Sequence, residues 1–268
     1  MATHLTPVDD VEEARWFIDA LSPEITVSGL VPPLFAAYAR ILHPAYAAGD
    51  ERPIRWSEIA AQKGTTMHAL ASFAGVEGGR TAHRGYHDPR EPDIATLDDK
   101  RLAILADLLA LHTTTPDSVW LNVWDGFGGT PRSWRGHPRV VQEGGGRDYY
   151  LFTCALNQIV DVSAGFAQWP PEEDAEDDEG SFTITATYVG DGEPPEDPPR
   201  HPDAPERRIQ SPQQWWPDDR TWAVATEIDD DYTVAAGSEE LIAAILAHPG
   251  LEAFRVAAED DLSGTSPL

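Results

Sequence analysis

Across Pro116 the apolar residues change their period. Before it, "TLDDKRLAILADLLALHTTTP" puts Leu102, Leu105, Leu108, Leu109 and His112 on one face at helical spacing. After it, "SVWLNVWDG" and "RDYYLFTCA" are aromatic and β-branched, and the first ends in the turn pair Asp125-Gly126. Both runs are apolar at successive positions, as strands covered on two faces are. Helical patterns first, strand patterns later and one more helical pattern near the end predict an α+β fold. N-terminal helices are followed by a mixed or antiparallel sheet with a late C-terminal helix. A chain of 268 residues is long enough to bury a sizeable core. We expect a single α+β domain over 1–268. It is either undivided or split into a helical part, 1–115, and a sheet part, 116–262, with 163–210 as an insertion.

The individual elements follow from spacing and end signals. A helix is expected over 8–21, with Asp9 as cap, Glu12 at the capping-box position and Trp16, Phe17, Ala20 and Leu21 as its apolar stripe. A second helix is expected from Pro33, because Leu34, Tyr38, Ile41 and Leu42 recur at helical intervals before His43-Pro44. "RWSEIAAQKG" reads as a third, capped by Ser57 and ended by Gly64, and residues 65–95 read as a long loop. Thr96 is the expected cap of the leucine-rich helix, with Asp98 and Asp99 in its first turn. Ser238 caps the last helix, which Leu241, Ile242, Ile245 and Leu246 turn toward a core. "AFRV" reads as a last short strand.

The stretch "QQWWPDDRTWAVATEIDDDYTVAAG" poses the question of a site against a sheet. As a strand, "RTWAVATEI" places Trp222, Val224, Thr226 and Ile228 on one face and Ala223, Ala225 and Glu227 on the other. Trp222 is then core under the last helix, and Asp229 to Asp231 form a solvent-facing turn, not a metal site. Trp215 and Trp216 fall outside that strand. One is expected to cap the core edge and the other to be exposed, which makes the pair a weak candidate binding platform.

The net charge is −27, from 46 acidic and 19 basic residues. Such a surface repels phosphates and anionic membranes, so direct nucleic acid or membrane binding is not expected. It suits a basic protein partner, or serves solubility alone. The lone Cys154 allows no internal disulfide, and the N-terminus has no apolar secretion segment. The expected compartment is the cytoplasm.

Catalytic motifs are weak. "GFGGTPRSWRG" lacks the Gly-Lys-Ser/Thr of a phosphate loop and carries Pro131 where a helix would open; "EGGGRD" reads as a loop as well. "VDVSAGF" lacks the first glycine of a nucleophile elbow. Asp174, Glu176 and Asp178 alternate like a calcium loop but lack its glycine at the required place. His83 and His87 stand four apart with Asp88 and Asp93 near. Gly85 and Pro89 break the helix that would aim both imidazoles at a metal, so they remain weak ligand-binding candidates. No metal site and no cofactor is expected. Acids fill seven of the eight positions from Glu172 to Glu179, and six prolines fall between Pro194 and Pro205. Residues 170–180 and 190–208 are therefore expected to be the least ordered internal segments.

Together "VPPLFAAYARILHPAY", "RWSEIAAQKG", "HTTTPDSVWLNVWDGFG", "RDYYLF" and "WWPDDRTWAVATEIDDDYTVAAGSEELIAAILAHPGLEAF" resemble an uncharacterised family of actinobacterial proteins with no assigned activity. The resemblance spans most of the chain outside 163–210. It implies a bacterial, cytoplasmic protein and carries over no catalytic residue. Three functions stay open. The first is a non-enzymatic acidic protein-binding factor, immunity- or antitoxin-like. The second is an enzyme whose site is assembled from non-adjacent His, Arg and Asp residues. The third is a nucleic acid mimic.

Overall fold

The structure is a computed structural model that describes residues 6–47, 50–79, 91–126, 134, 136–142, 147–161 and 211–263. These all belong to one compact unit, made of residues 1–168 and 208–268. The separate unit 169–207 lies outside the described residues. So do His83, His87, the acidic run from Glu172 and most of "GFGGTPRSWRG" and "EGGGRD".

The fold is α+β, built on a seven-stranded antiparallel sheet. Its strands are β1 (Ala37–Leu42), β4 (Val119–Trp124), β5 (Tyr149–Cys154), β6 (Gln214–Pro217), β7 (Ala223–Ala225), β8 (Tyr232–Gly237) and β9 (Ala253–Val256). They lie in the order β5-β4-β6-β7-β8-β1-β9. A two-stranded ribbon, β2 (Ala45–Ala47) with β3 (Asp50–Ile54), follows β1 in the chain. The first strand in sequence therefore sits between the last two, Ala39 opposite both Ala235 and Arg255.

Side chains alternate across this sheet into two cores. On one face Ile41, Leu121, Phe152, Trp215, Trp222 and Val224 pack beneath α5 (Asp99–Ala110) and α6 (Glu239–Ala247). On the other Tyr38, Leu151, Trp216, Ala223 and Val234 pack beneath α1 (Arg15–Ile18), α2 (Val27–Leu30), α3 (Trp56–Lys63) and α4 (Phe73–Val76). Trp222 is fully buried, and a Cβ on Gly237 would lie 2.6 Å from Leu241. That contact measures how closely β8 approaches α6 and why a glycine ends the strand.

Several expectations are corrected. Residues 37–42 form a strand rather than the helix expected from Pro33, because all six are buried on two faces and cannot show an alternation. Trp215 and Trp216 lie inside β6, both buried, one in each core. Neither is exposed and they form no platform. The expected helix over 8–21 is a 3-10 turn, Val11–Ala14, running into α1, and Asp10 rather than Asp9 is its cap. Asp98, not Thr96, caps α5. The start of α3 is capped from 195 residues away: the Glu252 carboxylate accepts from the Trp56 and Ser57 amides at 2.7 and 2.9 Å. Ser238 caps α6 as the spacing indicates, through the Leu241 amide. No helix of the described residues is long and apolar enough to cross a membrane.

Candidate functional site

Among the described residues, two chemically distinctive places lie at the two ends of β1. Past its C-terminal end a polar cluster is sunk into the protein. His43 is fully buried; its Nδ1 donates to the Asp93 carbonyl oxygen at 2.6 Å. Its Nε2 accepts from the Thr233 hydroxyl at 3.0 Å, and Thr233 in turn meets Thr226 at 2.8 Å. Burial lowers the imidazole to about 4, so the ring is neutral at pH 7. Tyr46 donates to the Asp93 carboxylate at 3.1 Å.

Beside it the acidic turn is more than a surface loop. Asp229 is exposed and shares Arg147 with Glu227, at 3.0 and 2.8 Å. Asp230 and Asp231 are half-buried. Desolvation raises Asp230 to about 7 against the pull of its Tyr232 hydrogen bond, and raises Asp231 to about 6 against the pull of Arg40. Arg40, itself buried, lies 4.1 Å above the Tyr232 ring and donates to the carbonyls of Ala69 and Ala71. Its Nη2 is 3.9 Å from the Asp231 carboxylate.

An imidazole bonded to a hydroxyl on one side and held by a carbonyl on the other has the connectivity of a nucleophile, its base and its orienting group. Here the hydroxyl and the ring are both buried, so the arrangement serves to satisfy polar groups over the sheet. The Ala95 amide donates to the Asp230 carbonyl oxygen, and Ser211 donates to that of Ala95, which pins this segment at a positive φ of 62°. Among the described residues no group of three His, Cys, Asp or Glu side chains is placed to hold a metal ion. Burial also pushes the Cys154 thiol up to about 12, far from a reactive thiolate.

The N-terminal end of β1 is open. Pro33, Phe35 and Tyr38 face Val256, Ala258 and Glu259 across a shallow groove of about 520 Å³. Leu34, between two lining residues, is 66% exposed. Ile25 is 71% exposed on the segment whose backbone bonds to Ala258, Asp260 and Leu262. Glu24, Glu259 and Asp261 are exposed around this lip, and the nearby cation, Arg255, is bound by Glu239 at 2.6 Å.

The groove adjoins the sheet's β9 edge. The Leu42 amide donates to the Glu252 carbonyl oxygen, so alternate residues Phe254 and Val256 bond inward to β1. Ala253 and Arg255 then point their N–H and C=O groups outward, and no strand among the described residues pairs there. No known protein family matches the chain, and neither does any curated protein or solved structure. The weak candidates Trp215 and Trp216 belong to the cores, and His83 and His87 lie outside the described residues. Sequence reading missed the groove. The spacing of Leu34 and Tyr38 fits a helical stripe, and nothing local marks 255–260 as their neighbour.

Proposed function

We propose that this chain is a non-enzymatic acidic protein-binding factor for a basic protein, in the manner of an immunity or antitoxin protein, acting in the bacterial cytoplasm. The observation that carries it is the open end of β1. Exposed Leu34 and Ile25, solvent-facing carboxylates and an edge strand adjoin one another there. Protein interfaces join an apolar centre to a polar rim. A net charge of −27 steers a cationic partner toward such a patch and raises its association rate. The expected result is that the tagged protein captures predominantly basic proteins at low salt and releases them at high salt, with the captured set identified by mass spectrometry. A captured set with no basic, salt-released member overturns the reading.

A second reading, an enzyme using non-adjacent His, Arg and Asp residues, is favoured by one observation: His43, Tyr46 and Asp93 converge through hydrogen bonds. It requires substrate access to a ring that is buried in this state. A nucleic acid mimic would bind the same partner as the acidic factor, but in competition with DNA. Excess duplex DNA displacing the captured protein favours mimicry.

A further inference from the structure

We propose that the β9 edge and its groove take an extended segment of the basic partner as an added antiparallel or parallel strand, a mode that rests on the acidic-factor reading. The outward N–H and C=O groups of Ala253 and Arg255 supply the main-chain hydrogen bonds. The groove beside Phe35 and Ala258 receives an apolar side chain of that segment. Glu24, Glu259 and Asp261 meet its lysines or arginines. Strand alternation suits this division, because an extended segment offers its side chains to opposite faces in turn.

The end of the edge is defined as well. The Ala257 amide is already taken by the Asp260 carboxylate at 2.8 Å, so the stretch left unpaired among the described residues stops after Val256. A short edge carrying a charged residue is also how sheets discourage unwanted pairing. Here that charge is held by Glu239, and the remaining field is negative. A second copy of this chain brings the same −27, which disfavours edge-to-edge self-pairing and selects a cationic strand.

The test titrates the wild-type chain at low salt with a short fluorescent peptide of alternating lysine and valine. It repeats the titration with the same peptide N-methylated at every backbone amide. Charge and side chains are unchanged, but the methylated peptide cannot donate to the edge. The expected result is binding of the first and at least about tenfold weaker binding of the second. Leu34→Ser and Glu259→Lys, both at exposed positions, should weaken the first peptide with no change in melting temperature. Equal binding of the two peptides overturns strand addition and leaves the acidic-factor reading standing. Binding of neither overturns strand addition, and salt-released capture of basic proteins still judges the broader reading on its own. Sedimentation showing that the unliganded chain pairs with itself through this edge overturns the choice of occupant.

Discussion

The two ends of β1 differ in what their polar groups are for. Around the C-terminal end of β1 the titratable side chains are dense, but their partners lie within the protein: His43 meets Thr233, Arg40 meets Tyr232 and Asp231, and Arg147 meets Glu227 and Asp229. Before Ala37 the titratable groups are fewer, and the ones on the rim face water. A closed network rigidifies and specifies a fold, whereas an open apolar lip with exposed carboxylates is disposed to meet something else. Density of histidines and acids is therefore a poor guide to which surface of this molecule is open.

The largest expected effect tests the shared core beneath both ends. Trp222→Ala removes a fully buried indole that meets Trp215 edge-on at 5.4 Å. It should cost about 3–5 kcal/mol, a large part of a domain's stability, and give insoluble or partly unfolded protein. Chemical denaturation that finds a mild loss would detach α6 from the account of the core.

Next comes the closed end. His43→Ala removes the buried ring that donates to the Asp93 carbonyl and accepts from the Thr233 hydroxyl, leaving Thr233 its bond to Thr226. About 2–3 kcal/mol of destabilisation is expected, with peptide binding at the groove unchanged. A stable variant that loses binding would show that the two ends are not separate.

The acidic turn should shape the pH profile. Asp230 and Asp231 have folded values raised to about 7 and about 6, above their unfolded value near 3.8. Their stabilisation is present at low pH and lost as pH rises through those folded values. His43, lowered to about 4, has the opposite sign: stability falls as pH drops from about 6.5 toward 4. Two carboxyls oppose one imidazole, so stability should decline as pH rises between roughly pH 4 and 6. Asp230→Asn keeps a partner for Tyr232, should flatten that decline and should raise the melting temperature at pH 8. Asp230→Asn melts that keep the wild-type slope would return the turn to an ordinary surface loop, which is what the sequence suggests.

Asp219 provides a smaller check away from both ends. Its carboxylate accepts from Thr113, Thr114 and Thr221, bonds that bring it down to about 2 despite partial burial. Its contribution is present above the unfolded value near 3.8 and lost as pH falls toward 2. Asp219→Ala should cost about 1–2 kcal/mol at pH 7 by equilibrium denaturation and much less at pH 2.

The sequence was readable where one face of an element is wet. The stripe of α5 and the Ser238 cap both depend on contrast between neighbours. It misled where contrast is missing. In β1 every residue is buried, so Tyr38, Ile41 and Leu42 fit a helix period by coincidence of spacing. Adjacent Trp215 and Trp216 look like a surface feature until β6 is seen to divide two cores. Glu252 capping α3 and Glu259 facing Phe35 join positions about 195 and 224 residues apart, and no local pattern records such meetings.

The central claim, that the open end of β1 is the binding surface, is tested most directly by two matched charge reversals. Asp229→Lys and Glu259→Lys change the net charge equally and both replace exposed acids, one at each end of the strand. The dissociation constant of the lysine–valine peptide is measured for each at the same ionic strength. The open-end surface predicts that Glu259→Lys weakens binding at least about tenfold more than Asp229→Lys, because contact charges act at short range and the screened field beyond about 8 Å adds little. Equal weakening would show that the peptide responds only to overall charge, and a greater loss with Asp229→Lys would place the surface at the closed end instead.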